Sequence, residues 1–195
     1  TRKAAVPEGC TWPGGDDQMV RYHEEEWGVP LHDDKKLFEF MDLDAFQAGL
    51  SWKTILHKRK NFEKAFDHFS VNKIAKYDEA KVEELMQDAG IIRNRLKILA
   101  TITNAQRFIE TKKEFGTFDK YIWQFVHHKP LVNEWKSSSE IPAKSMESDM
   151  MSKDLQKRGF KFVGSTICYA FMQAAGMVND HLVDCPRHKA LKKLK

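Results

Sequence analysis

The sequence predicts an all-α domain, and three observations carry that expectation. Apolar residues recur at three- and four-residue spacing along almost the whole chain. Aspartate and serine stand just before several of these runs, where a helix needs side-chain caps. Few segments alternate apolar and polar residues, so little competes as strand. The chain has 195 residues and is 42% hydrophobic, enough to bury a core as one domain. No internal repeat or low-complexity block divides it. The expected organisation is one domain over residues 1–195, with a structured core from roughly 10 to 185 and flexible ends at 1–8 and 188–195.

The elements follow in order. Asp33 and Asp34 open a helix that carries Leu37, Phe38, Met41 and Phe46 inward. Ser51 caps a second helix to Lys60, and Asn61–His68 reads as a further short one with Phe62, Ala65 and Phe66 on one stripe. Asp78 caps Glu79–Gln87, which turns Val82, Leu85 and Met86 to the core and stops at Gly90. The longest helix covers Asn94–Glu114, and Phe118–Val126 is a compact aromatic one. Pro130–Pro142 has the least helical character and reads as a surface loop. Ser148–Arg158 and Ser165–Met177 complete the set.

A net charge of +4 permits nucleic-acid binding without requiring it, because many basic residues have acidic neighbours. No stretch is long and apolar enough for a membrane span, and no charged, apolar, small-residue leader is present. Three cysteines, an odd count, argue against a disulfide framework and for a reducing, cytoplasmic compartment. Cys168 sits in an apolar run and reads as a buried thiol. The other two cysteines lie near the two ends, each with a histidine: Cys10 with His23, and His181 with Cys185. Four such ligands suit a tetrahedral zinc ion that would clasp the N- and C-terminal segments together; unrelated cysteines and histidines near the two ends are the competing reading.

The segment Leu155–Ala174 reads as helix, short turn, helix. Gly159 and Gly164 bound the turn and are expected to permit positive backbone torsions, while Phe162 and Val163 anchor it inward. The amides of Gly164, Ser165 and Thr166 then point out of a helix N-terminus, a ready site for a phosphate. Lys157, Arg158 and Lys161 surround the turn and strengthen a sequence-independent grip on a nucleic-acid backbone. A plain turn between packed helices is the competing reading.

Several separate stretches resemble one family. They are Tyr22-His23-Glu24-Glu25-Glu26-Trp27-Gly28-Val29-Pro30, Gln47-Ala48-Gly49-Leu50-Ser51-Trp52, Gln87-Asp88-Ala89-Gly90-Ile91-Ile92-Arg93-Asn94-Arg95, Lys157-Arg158-Gly159-Phe160-Lys161-Phe162-Val163-Gly164 and Val178-Asn179-Asp180-His181. From about Cys10 to Cys185 the chain is similar to the bacterial 3-methyladenine DNA glycosylases I, in the helix–hairpin–helix glycosylase superfamily. The resemblance implies a monofunctional hydrolase that flips N3-methyladenine out of alkylated double-stranded DNA and excises it, acting as a monomer without a membrane.

It places the zinc ligands on Cys10, His23, His181 and Cys185, so that the metal is structural. The base pocket falls on Tyr22, Trp27 and Trp52, with Trp12 in its wall and Asp44 as its carboxylate. Aromatic faces attract the cationic alkylated base while stacking on it. Asp44 departs from the family, whose better-known members carry glutamate there, and keeps the acceptor oxygens on a shorter stem. Gly49 and Leu50 fall at the DNA gap, Leu50 as an apolar plug, with Lys161, Gly164, Ser165 and Thr166 toward the phosphates. Trp123 and Trp135 are expected in the core, and Asp180 in a structural role beside His181. Two other functions stay open. One is a non-catalytic zinc-stapled module for damaged or structured DNA; the other is a zinc hydrolase with an open coordination position.

Overall fold

The computed structural model describes residues 5–194, and its regular structure is helical apart from one minimal pair of strands. Its centre is α2 (Asp34–Gln47), in which every residue from Leu37 to Phe46 is buried. The sequence implies one inward stripe for this helix. Instead α3 (Trp52–Ala65), α6 (Arg95–Phe115), α7 (Phe118–Trp123) and α9 (Ser165–Ala174) pack around it. Asp33 caps its first turn by accepting from the Lys36 amide at 2.9 Å. The Asp34 carboxylate accepts from the Phe118 and Asp119 amides, so one acidic pair starts two helices.

Several boundaries differ from expectation for local reasons. Helix α1 (Asp17–Glu25), capped by Asp16, was not anticipated; its inner face is only Met19, Tyr22 and His23. Helix α3 runs unbroken through Lys60 and Asn61, because no glycine or proline interrupts it. It ends where Asp67, His68 and Phe69 take left-handed torsions, with the Tyr77 hydroxyl donating to Asp67 at 2.5 Å. Helices α4 (Val71–Ile74) and α5 (Glu79–Gln87) lead to α6. The surface loop after Lys129 contains β1 (Leu131–Val132), paired in parallel with β2 (Val178–Asn179). The C-terminal end expected to be flexible forms α10 (Pro186–Lys192). Its residues His188 and Leu191 are buried, and the His188 ring meets the Asn133 carbonyl at 2.7 Å. Residues 1–4 and 195 of the expected flexible ends lie outside the described residues.

Helices α8 (Met146–Lys157) and α9 form a packed pair joined by residues 158–164. Two details of that turn depart from the sequence reading. Gly159 does take a positive φ of 91°, but Gly164 is extended at φ −60° and serves as the N-cap of α9. Phe162 has φ 53° and lies half-buried beside Leu96 and Leu99, while Phe160 and Val163 are the residues that turn inward. Among the described residues no helix is long and apolar enough to cross a membrane.

One buried group has a direct consequence for stability. Asp42 lies on α2 with no exposure, and neither carboxylate oxygen has a hydrogen-bond partner. Burial pushes its carboxyl well above the ordinary value. Folding then retains a proton that the unfolded chain releases above about pH 4, so the native state loses stability as pH rises from there. Each unit costs about 1.4 kcal/mol until the folded-state pKa is reached. Asp42→Asn is expected to flatten this slope, raising the denaturation midpoint at pH 8 more than at pH 5. Urea titrations at the two pH values check it; parallel shifts at both contradict it.

Candidate active site and metal centre

The packing of α2 against α9 leaves a cleft at one end, and aromatic side chains from three other segments close it. The result is a cavity of about 350 Å³ lined by Trp12, Tyr22, Trp27, Asp44, Trp52 and Gln173, among others. Trp52 is the first residue of α3, so the Ser51 cap sets its direction. Tyr22 comes from the inner face of α1, with its ring 5.1 Å from Trp52 and 6.4 Å from Trp12. Trp12 stands edge-on to Trp27 at 5.1 Å. All five residues expected in a base pocket are therefore brought together.

The polar atoms of this box are few. Asp44 is 4% exposed, and its Oδ2 has no partner. The indole Nε1 of Trp52 is buried and equally unpartnered. Burial pushes the Asp44 carboxyl well above the ordinary carboxylate range. It also raises the Tyr22 phenol, with the neighbouring Asp44 charge adding to that effect. Buried acceptors and donors without partners are costly in a finished core and useful in a site that awaits a ligand. A cation in this box would be attracted by the ring faces and would favour ionised Asp44.

A smaller cavity of about 210 Å³ shares Asp44 and opens between Gly49, Leu50 and Thr166. Gly49 has φ 80°, a conformation that favours glycine, and it turns the chain so that Leu50 is 42% exposed. The Lys97 ammonium holds this loop from below, donating to the carbonyls of Phe46 at 2.8 Å and Ala48 at 2.6 Å. Gly164 and Ser165 stand at the N-terminus of α9, where the Ser165 hydroxyl donates to Asp149 at 2.5 Å. Lys161 is fixed through its backbone by both ends of the Asn104 amide and borders a separate groove with Phe162. Arg158 is engaged within the protein. It pairs with Glu114 and Asp154 and lies over the rings of Phe115 and Tyr121.

The four candidate metal ligands also converge. One donor atom from each of Cys10, His23, His181 and Cys185 lies within 4.8 Å of all the others, and all four residues are buried. The nitrogens of His23 and His181 are 3.1 Å apart. Sulfur-to-nitrogen separations are 3.6 Å from Cys185 to each histidine and 3.9 Å from Cys10 to His181. A tetrahedron with zinc-like bond lengths has edges of about 3.3 Å between nitrogens and about 3.6 Å between sulfur and nitrogen. The residues present therefore fit such an ion.

Their surroundings fit as well. The far ring nitrogen of His23 meets Glu24 at 2.9 Å, and that of His181 meets the Trp27 carbonyl at 2.8 Å, which orients both rings. The pair of thiols is already polarised. Hydrogen bonding from Cys10 and then from the histidines holds the Cys185 thiol well down, while that bond and burial push the Cys10 thiol up. Gly9 permits the approach of the two ends. A Cβ there would sit 2.6 Å from the Cys185 backbone nitrogen.

The model of the methyladenine glycosylase family matches residues 12–188. The chain belongs to that family. It is 51% identical over 178 residues to DNA-3-methyladenine glycosylase 1 of Escherichia coli K12, which covers 91% of this chain and 95% of the relative. A crystal structure of 3-methyladenine DNA glycosylase I superposes with a TM-score of 0.89 at 46% identity, over 91% of this chain and 97% of the other. Another neighbour, a variant of 3-methyladenine DNA glycosylase I in complex with 3-methyladenine, gives a TM-score of 0.89 at 34% identity, over 91% and 96%.

In this methyladenine glycosylase the sequence reading missed part of the cavity wall. Ser138 and Ile141 come from the segment expected to be a surface loop, which folds over the cavity instead. Ala170 and Gln173 lie three apart on α9 and share the face that carries Thr166. Their helical spacing is visible in the sequence; the helix they face is not. Trp123 is buried, with its Nε1 donating to the Leu31 carbonyl at 2.9 Å. Trp135 packs on Leu182 beside the cysteines.

Proposed function

We propose that this protein is a monofunctional DNA-3-methyladenine glycosylase, acting as a cytoplasmic monomer on alkylated double-stranded DNA. The observation that carries this reading is the unpartnered, buried Asp44 carboxyl inside a box of aromatic rings. An N3-alkylated adenine is cationic and bears an amino group; ordinary adenine is neutral. The box therefore gains most from the damaged base, through ring faces that attract its charge and a carboxylate that accepts from its amino edge.

The chemistry asks little more of the protein. The flipped base stacks on Tyr22 and the tryptophans. The bond from C1′ to the base nitrogen breaks, and its electron pair leaves with the base, cancelling the positive charge. The sugar becomes an oxocarbenium ion, favoured by ionised Asp44 and nearby phosphates. Water adds at C1′ and loses its proton to solvent. No amine of the protein bonds to the sugar, so borohydride should trap no enzyme–DNA adduct.

The metal centre stands apart from this chemistry. We assign its ion as zinc, held by Cys10, His23, His181 and Cys185, with four protein ligands and a structural role. It joins the segment bearing Tyr22, Trp27 and Trp12 to the C-terminal end.

The exposed Leu50 on the Gly49 turn is the apolar plug for the space that the flipped nucleotide leaves. Lys161 and the amides of Gly164, Ser165 and Thr166 engage phosphates in a helix–hairpin–helix grip, with the Asp149–Ser165 bond yielding to the phosphate. Leu50→Ala is expected to weaken binding to abasic duplex about tenfold while leaving binding of free 3-methyladenine unchanged. Fluorescence titrations with each ligand check it; equal losses on both would assign Leu50 to the pocket instead.

The deciding experiment is release of base from methylated duplex DNA, read by chromatography. Free 3-methyladenine is the expected product. A mobility shift without released base would identify a binding module.

A further inference from the structure

We infer that Gln173, held by Asp180, is the residue that makes the pocket choose adenine adducts over guanine adducts. The inference rests on the glycosylase reading above and divides its labour. Asp44 responds to the charge of the base, whereas Gln173 responds to which atom the base carries at C6.

The geometry starts from Asp180, which is 1% exposed and follows β2. Its carboxylate accepts four hydrogen bonds. Oδ1 receives Asn133 Nδ2 at 2.7 Å and Trp135 Nε1 at 2.8 Å. Oδ2 receives the Tyr169 hydroxyl at 2.5 Å and Gln173 Nε2 at 3.0 Å. A carboxylate can only accept, so the Gln173 amide turns its NH2 toward Asp180 and spends one of its two hydrogens there. We place its other end, the acceptor Oε1, toward the cavity that Gln173 lines. Gln173 lines the same cavity as Asp44, from the facing helix, and its backbone carbonyl is tied to the Gly28 amide at 3.0 Å.

Adenine and guanine differ at this edge in hydrogen-bonding sense. The adenine amino group offers two hydrogens, one for each of two acceptors. Guanine presents an oxygen there, which would face Asp44 and Oε1 acceptor to acceptor. A buried polar group left unpaired in this way costs the wrong ligand more than a missing contact would. Asp180 touches no substrate. It acts as a positioning residue by forbidding the amide flip that would offer guanine a donor.

The test compares wild type, Gln173→Met and Asp180→Asn for release of 3-methyladenine and 3-methylguanine from one methylated duplex. Binding of each free base is measured in parallel by tryptophan fluorescence. Gln173→Met keeps the shape and removes the acceptor. It is expected to lower the adenine-to-guanine ratio of kcat/KM about tenfold or more, mainly through loss on adenine. Asp180→Asn can donate to Gln173 and release the flip, so it is expected to gain on 3-methylguanine. A folded Gln173→Met with an unchanged ratio, in release and in free-base binding, overturns the inference even if Asp180→Asn fails to fold. Wild type that releases neither base defeats the glycosylase reading and this inference with it, whereas normal 3-methyladenine release with an unaltered ratio defeats this inference alone.

Discussion

Asp44→Asn is expected to slow release of 3-methyladenine from duplex DNA by about a hundredfold or more, with little loss of fold. Removal of one preorganised electrostatic partner from a water-excluded site costs on the order of 10²–10³ in rate. The side chain is almost isosteric, and its cavity oxygen already lacks a protein partner. The fold therefore gives up little. Burial pushes the Asp44 carboxyl above the ordinary carboxylate range, so activity that needs ionised Asp44 is expected to rise with pH, and the Asn variant should lose this dependence. Single-turnover rates between pH 5 and 9 test both points. A variant that keeps the wild-type rate and slope would show that Asp44 does not serve the reaction. Asp44→Glu, which restores the side-chain length usual at this position in the resembled family, should remain active.

Loss of the metal should have the second large effect, on stability. Four buried ligands converge from positions far apart in sequence. Metal binding to such ligands is folding free energy. Chelation, or Cys10→Ala, is expected to lower the melting temperature by about 10 °C, the scale of a loss of about 3 kcal/mol or more in a domain of this size. Excision should fall along with it, because Trp12, Tyr22 and Trp27 lie on the segment that the clasp holds, and Trp27 packs 4.7 Å from the His181 ring. Calorimetry with and without chelator, with metal content measured alongside, decides this. A melting curve indifferent to chelation in a protein shown to have lost its ion would remove the structural role.

Much of the fold was legible because its cues are local. Asp33, Ser51 and Asp78 each cap a helix as their positions suggest, through bonds from amides three residues on, and Asn94, expected inside the longest helix, caps it in the same way. Helix α1 was missed because its buried face holds only Met19, Tyr22 and His23, the last two of which serve the site. Their spacing is helical, but three inward positions in nine residues make a short signal, and two of them are polar or amphipathic side chains. The two-residue strands fall below any alternation a sequence can display. Helix α10 looked like a basic tail because only His188 and Leu191 of its seven residues turn inward.

The site divides in the same way. Ligand chemistry singled out Cys10, His23, His181 and Cys185, whereas Tyr22, Trp27, Trp52 and Asp44 were singled out by the resemblance to the family. Cysteines and histidines announce their chemistry by residue type, while an aromatic residue in a sequence serves a core as readily as a pocket. Gln173, Ser138 and Ile141 carry no such mark. A glutamine becomes an acceptor aimed at a ligand only when Asp180 claims one of its amide hydrogens, and that contact exists only after α9 and β2 have packed. The chain order thus determined which chemistry is present, while tertiary packing decided which way each uncommitted polar atom faces, since a hydrogen bond has direction and a sequence does not.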